Sequence, residues 1–284
     1  MLFILPFFIL FTIFIVYPIL QGLWVSLNKW TLMGRQSFVG LENYEKMLGD
    51  ASFWKAFWNT CRFVVLTVPA VVLLSLVMAL FANRETKYRK FLRVSYYMPS
   101  VLSVSVASYL AIYTFAPYRG LLNGILRAFG LITTKTEPLW MQDNVLVWFM
   151  LVAMTVWWTV GFPMLLFLSA IQDIPREVIE VAQTDGASAS QILFLIKLPL
   201  LRPTTLLVLM LQIIASFKVF GQIYMITKGG PANMTRPMIQ YIYQQAFDKN
   251  KLGYAAAISY FLFGVLVICT LIQLWIQRKG DRTA

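Results

Sequence analysis

The chain has no histidine, two cysteines and only 12 acidic residues among its 284. Each scarcity removes a class of chemistry. Without imidazole there is no histidine general base, no Ser–His–Asp triad and no histidine-ligated zinc. Cys61 starts one apolar run and Cys269 lies inside another, so a disulfide framework is unsupported. No G-x-x-x-x-G-K-[ST] phosphate loop occurs, and any ATP hydrolysis must therefore take place on another chain. Charged residues make up 13% of the sequence, about half the share usual in a soluble domain.

What fills the space is apolar: 59% hydrophobic residues and a mean hydropathy of +0.70. The apolar residues are gathered into runs long enough to cross roughly 30 Å of hydrocarbon. The pattern predicts an all-α polytopic membrane protein, a single domain over residues 1–284 with six transmembrane helices. These fall at about residues 2–24, 63–81, 96–116, 145–169, 206–226 and 255–277. Pro6 and Pro18 are tolerable in the first, because neighbouring helices can satisfy the freed carbonyls.

The net charge of +12 does not call for nucleic acid. Its basic residues sit in short segments between apolar runs, where membrane orientation explains them. Segment 83–94 is the densest, with Arg84, Lys87, Arg89, Lys90 and Arg93 against Glu85. It is expected on the cytoplasmic side, which places both termini there too. No Asp or Glu lies inside any predicted span. That counts against an ion-gradient-driven secondary transporter, the main rival reading, since such proteins often carry acidic residues in mid-membrane. Lys218 is the one basic residue placed well inside a span, a functional-site candidate by default or a snorkelling side chain.

One long segment between spans is polar and helical: residues 173–203. Asp173 and Pro175 read as an N-cap and a first-turn proline. Arg176, Glu177, Glu180 and Gln183 supply polar faces, and Ile174, Val178, Val181 and Ala182 an apolar side. Asp185-Gly186 breaks the helix, because glycine allows a sharp turn. Ser188 starts a second short helix, which Pro199 is expected to limit. The product is a helix–turn–helix lying along the membrane and offering an amphipathic helix to a groove on another protein. A plain linker between two spans is the other reading.

Within the spans, polar residues recur at helical spacing: Thr155 with Thr159, Gln212 with Ser216, and Tyr96 with Ser100. Such residues are costly unless they face a cavity or a partner. Phe220 or Trp158, with Tyr96, offers an aromatic platform beside them. Hydrogen bonding between packed helices explains the same residues equally well.

The sequence Glu180-Val181-Ala182, then Gly186, then Ile196-Lys197-Leu198-Pro199 resembles the cytoplasmic EAA loop of ABC-importer permeases. Gly40-Leu41-Glu42-Asn43-Tyr44, Thr227-Lys228-Gly229-Gly230-Pro231, Tyr241 to Phe247 and Gly253-Tyr254-Ala255-Ala256-Ala257 look like the carbohydrate-uptake, maltose and glycerol-phosphate permease-like branch. Val181, where the motif usually has alanine, is the visible departure. The resemblance covers essentially the whole chain and implies a type I ABC-importer permease fold with a cytoplasmic coupling helix. It implies a translocation subunit, not an enzyme, with no cofactor of its own and ATP and Mg on a partner ATPase. Glu177, Glu180, Ala182, Asp185, Gly186 and Ser188 would form the ATPase-coupling surface. Tyr96, Ser100, Thr155, Thr159, Gln212, Ser216 and Phe220 would line the pathway of a sugar or polyol. The implied partners are a second homologous permease subunit, two ATPase subunits, an extracytoplasmic solute-binding protein and membrane lipid. The implied location is a bacterial or archaeal cytoplasmic membrane.

Overall fold

The computed structural model describes residues 4–84 and 87–281. Glu85 and the first two residues of the expected span 2–24 lie outside the described residues. The chain divides into two compact units, residues 1–59 with 236–269 and residues 60–235 with 270–284.

The first unit opens with helix α1, Leu5–Ser26, whose side chains are almost all exposed. A β-hairpin follows, β1 (Asn28–Thr31) and β2 (Gly34–Phe38), antiparallel with a register shift after Lys29. Helix α2 is Glu42–Leu48. This short hairpin is added to an otherwise helical fold, and residues 28–48 close back on themselves. Asn43 is the pin. Its amide donates to the backbone carbonyls of Ser26 (2.8 Å) and Asn28 (3.1 Å). The Ser26 and Tyr44 hydroxyls meet at 2.7 Å, and the Arg35 Nε donates to the Asn28 Oδ1 at 2.7 Å. Gly40 supplies the φ of +56° that turns the chain into α2. The Gly-Leu-Glu-Asn-Tyr run is thus a folding device.

Helix α3, Ala51–Ala82, is the longest span, 32 residues with Pro69 inside. The second unit continues through α4 (Arg89–Tyr97), a tight 3-10 turn over Met98–Val101, and α5 (Val104–Thr114). The expected span 96–116 is therefore not one helix. Pro99 lacks a backbone N–H and sits in the turn, and Ser103 restarts the helix by accepting from the Val106 N–H (3.3 Å). Residues 117–144, expected as a polar connection, contain α6 (Leu121–Ala128).

Helices α7 (Leu146–Thr159) and α8 (Gly161–Gln172) replace the straight span 145–169 with a pair bent by 48°. Gly161 explains where the bend falls. A Cβ there would stand 2.6 Å from the Ser100 Oγ, 2.7 Å from the Tyr96 carbonyl oxygen and 2.8 Å from the Tyr97 Cα. Only glycine lets the corner rest on the α4–α5 break. After α9 (Arg176–Thr184) come α10 (Ala189–Leu200) and α11 (Arg202–Phe217), a second bent pair at 61°. The expected span 206–226 is also interrupted: the chain leaves the helix at Lys218-Val219-Phe220 and re-enters it as α12 (Gly221–Ile226). Lys218 is accordingly an exposed helix-end residue, not a charge inside a continuous span.

Two buried clusters hold this unit. One packs Phe63, Ala107, Trp148, Leu151 and Ile223; the other packs Val68, Ala79, Phe167, Leu201 and Val208. The chain then forms α13 (Met238–Tyr243) and ends in α14 (Leu252–Asp281). By length and composition, α1, α3 and α14 are long and apolar enough to cross a membrane, each of the two bent pairs has the length and composition of one broken span or a re-entrant loop, and α5 is a shorter apolar helix.

Candidate functional site

The geometry of α9 follows from its sequence. Asp173 is not its N-cap, as the spacing suggested. Asp173 closes α8, and Pro175, with ψ near +135°, stands before Arg176 and starts α9 without a side-chain cap. The C-terminus is tightly specified. Gly186 adopts φ +81°, its N–H donates to the Gln183 carbonyl at 3.0 Å, and the Ala187 N–H reaches back to Ala182 at 2.9 Å. That pair of bonds is a Schellman motif, which a left-handed glycine satisfies at no steric cost. Ser188 then begins α10 with a reciprocal capping box: its Oγ accepts from the Gln191 N–H (3.3 Å), and the Gln191 side chain accepts from the Ser188 N–H (2.8 Å). The turn between α9 and α10 is thus set by two adjacent local devices. Pro199 does not stop α10, contrary to expectation. Residues Ile192–Lys197 form a wide, π-type turn. This removes the close i−4 carbonyl that would oppose the proline ring, and the helix ends at the Leu201 bend instead.

The two faces of α9 differ. Val178 and Val181 are exposed, Val181 by 61%, beside exposed Glu177 and Asp185. Arg176, Ile179, Glu180 and Gln183 share the opposite stripe. They line an open basin of about 800 Å³ with Asn83, Arg89, Arg93, Gln172 and Lys197. Glu180 and Gly186, grouped together by the sequence, therefore do different things: Glu180 points to the basin, whereas Gly186 shapes the turn. Ala182 is half-buried and Ser188 exposed.

The residues expected along a substrate pathway are only partly brought together. The Thr155 hydroxyl is buried, donates to the Leu151 carbonyl (2.7 Å) and accepts from the Gln222 amide (3.2 Å). The Thr159 hydroxyl donates to the Thr155 carbonyl at 2.7 Å. These two are satisfied by helix backbone and by α12. Tyr96 and Ser100 meet the α7–α8 corner at Gly161. Ser216 is buried, while Gln212 on the same face of α11 is half-buried. Phe220 lies at the break, its ring 5.2 Å from that of Tyr224. Gln222 was not foreseen, because a continuous helix over 206–226 would have aimed it differently. An open apolar cleft of about 350 Å³ lies instead between α5 and α7, lined by Leu110, Thr114, Phe115, Met154 and Trp157.

A polar network in the first unit also escaped the sequence. Asp50 accepts from the hydroxyls of Tyr241 and Tyr254, and the Arg236 guanidinium lies 4.7 Å over the Tyr241 ring. Burial alone would raise the Asp50 pKa. The two tyrosine hydroxyls and the N–H groups of Ser52 and Phe53 outweigh it and hold the carboxyl below its ordinary 3.8. Tyr241 is pushed up to about 12 by burial and then by its bond to Asp50. Burial lowers the Arg236 pKa.

Apolar helices broken at defined corners, with a short amphipathic helix held between two of them, define the class of multi-pass membrane proteins. The chain belongs to the family of binding-protein-dependent transport system inner membrane components, whose model matches residues 49–280. Three curated relatives are each 32% identical. The arabinooligosaccharides transport system permease protein AraP of Bacillus subtilis aligns with 99% of this chain and 89% of its own length. For the sulfoquinovosyl glycerol transport system permease protein SmoG of Agrobacterium fabrum the shares are 96% and 88%. For the sn-glycerol-3-phosphate transport system permease protein UgpA of Salmonella choleraesuis they are 94% and 90%. Among solved structures, a chain of a bacterial alginate ABC transporter in complex with an alginate pentasaccharide-bound periplasmic protein matches with a TM-score of 0.84. It is 23% identical over 98% of this chain and 93% of that one. A second structure of an alginate-importing ABC transporter gives 0.82 and 24%. The fold is that of the type I importer permeases, and membership of the family makes the chain a translocation subunit and not an enzyme.

Proposed function

We propose that the chain is one permease half of an ATP-driven importer for a sugar or related polyol. The observation that carries this reading is α9, a short amphipathic helix between two bent spans that presents Val178 and Val181 to solvent. An exposed apolar stripe on a helix fixed at its C-terminus by the Gly186 turn fits a groove on a partner. In this reading the partner is an ATPase subunit holding ATP and Mg, and a pair of them serves two permease halves. Closure of the ATPase pair moves α9 as a lever, and the capped turn at Gly186 and Ser188 passes the motion into α10 and α11. Glu177, Ala182 and Asp185 accompany the valines at the contact, and Glu180 anchors the lever on its basin side. An extracytoplasmic solute-binding protein delivers the cargo at the opposite face. The membrane is the cytoplasmic membrane of a bacterium or archaeon. The sugar class is supported by the transport systems to which the relatives belong, those for arabinooligosaccharides and sulfoquinovosyl glycerol.

The pathway is proposed to run along α4, α7, α11 and the α11–α12 break, with Tyr96, Ser100, Gln212, Ser216 and Phe220 as the residues to test. Thr155 and Thr159 serve the packing of α7. Affinity purification of the tagged chain from its native membrane in mild detergent tests the assembly. Recovery of an ATPase, a second permease and a binding protein is expected. Recovery of the chain alone, with ion-gradient-driven uptake intact, overturns the reading.

A further inference from the structure

The basin beside α9 has a continuation. Among the described residues, its walls carry Arg89, Arg93, Arg176 and Lys197 and one acid, Glu180. Asn83 and Lys197 also line a second concavity of about 560 Å³, and the rest of that groove is largely apolar: Val77, Leu80, Phe81, Leu193 and Phe194. Phe81 and Phe194 are exposed, Phe194 by 62%. The two cavities therefore share a seam, cationic on one side and greasy on the other. The seam lies where spans end. Asn83 follows the last residue of α3, and Ile171 and Gln172, also in the basin, end α8. An end of a span is where the bilayer passes from acyl chains to headgroups.

We infer that the basin and groove together form a site for one anionic phospholipid, its phosphate among the arginines and an acyl chain along Phe81 and Phe194. The charge selects an anionic headgroup. The apolar groove selects a lipid over a free anion, for which Phe81, Leu193 and Phe194 would have no use. Because Arg176 and Glu180 belong to α9, an occupied basin braces the α9 stripe that faces away from Val178 and Val181. The lipid then stiffens the proposed lever. This inference rests on the placement of α9 at the cytoplasmic surface, proposed above, and is independent of which cargo is carried.

The first arm of the test uses the purified permease complex and reads lipid retention, and the second reads transport. Native mass spectrometry after exposure to equal amounts of phosphatidylglycerol and phosphatidylcholine should show retained phosphatidylglycerol. In the double variant Arg89→Gln/Arg93→Gln retention should fall roughly 25-fold, about fivefold for each basic group removed near the surface. Phe194→Ser should weaken long-chain phosphatidylglycerol more than a short-chain analogue. Uptake in liposomes should rise with phosphatidylglycerol for the parent, and the ratio to pure phosphatidylcholine should approach one for the double variant. Equal retention of the two lipids by the parent overturns the inference. So does restoration of uptake in phosphatidylcholine by inorganic phosphate alone. If the double variant keeps its phosphatidylglycerol but sheds the ATPase on gel filtration, the basin holds an acidic segment of that partner and the lipid assignment is wrong. Loss of the ATPase from the parent would instead strike the proposed function.

Discussion

Gly186 offers the sharpest perturbation, because its environment separates backbone strain from crowding. A Cβ built at this position meets nothing within 4 Å, yet φ is +81°. Any cost of replacing it is therefore conformational. An ordinary L-residue in the left-handed region loses about 1–2 kcal/mol, and a β-branched one lies at or beyond the top of that range because its χ1 is restricted there. Asn tolerates the region better than most residues. A penalty of about 2 kcal/mol shifts the turn equilibrium roughly 30-fold, since about 1.4 kcal/mol is a factor of ten. Gly186→Val should therefore reduce ATP-dependent uptake at least about tenfold, and Gly186→Asn by only about twofold, if uptake follows the population of this turn. Membrane levels should match the parent by immunoblot, because the residue is exposed. Counterflow or uptake into vesicles with ATP on the α9 side reads the difference. Equal loss in both variants would show that a partner reads the missing side chain, and full activity of Gly186→Val would remove the turn from the mechanism.

Other perturbations follow from the same geometry. Gly161→Ala drives a Cβ into the Tyr96 carbonyl, the Ser100 Oγ and the Tyr97 Cα. It should cost about 1–3 kcal/mol, visible as a lower melting point in detergent, whereas Gly124→Ala, with open space around its Cβ, should not. Thr155→Val leaves the Gln222 amide without its buried acceptor. A loss of about 1–3 kcal/mol is expected, and Thr155→Ser should restore most of it. Asp50 has a folded-state pKa below its ordinary value, so its contribution is complete above about pH 4 and fades as pH falls through the folded value. Melting curves should show this acid-side loss, and Asp50→Asn should flatten it.

Much of the architecture was legible because a membrane leaves few options. The long apolar runs at 63–81 and 255–277 could only be spans, and they lie inside the helices Ala51–Ala82 and Leu252–Arg278; α9 was readable from its Gly186 stop and from the Ser188 start of α10. The broken spans were not. The local signals at these breaks, Gly161 with Pro163 and Gly221, are of a kind that spans also tolerate and do not by themselves end a helix. The breaks are fixed by tertiary packing, such as Gly161 against Ser100 and Gly221 against Val104. Composition also could not show that Asn43 ties β1 to α2, or that Asp50, Tyr241 and Tyr254 meet, since those bonds join distant stretches of chain. At the candidate site the sequence found the helix but not its faces. Whether Glu180 points outward or into the basin depends on where α4 lies, and only the fold supplies that.

The most direct measurement is uptake of a radiolabelled sugar into liposomes containing the purified complex with its binding protein, with ATP enclosed on the ATPase side. The account predicts accumulation that requires ATP hydrolysis, persists when ionophores collapse every ion gradient, and is lost in Gly186→Val. Uptake by this chain without an ATPase, driven by an ion gradient and abolished by ionophores, would contradict it.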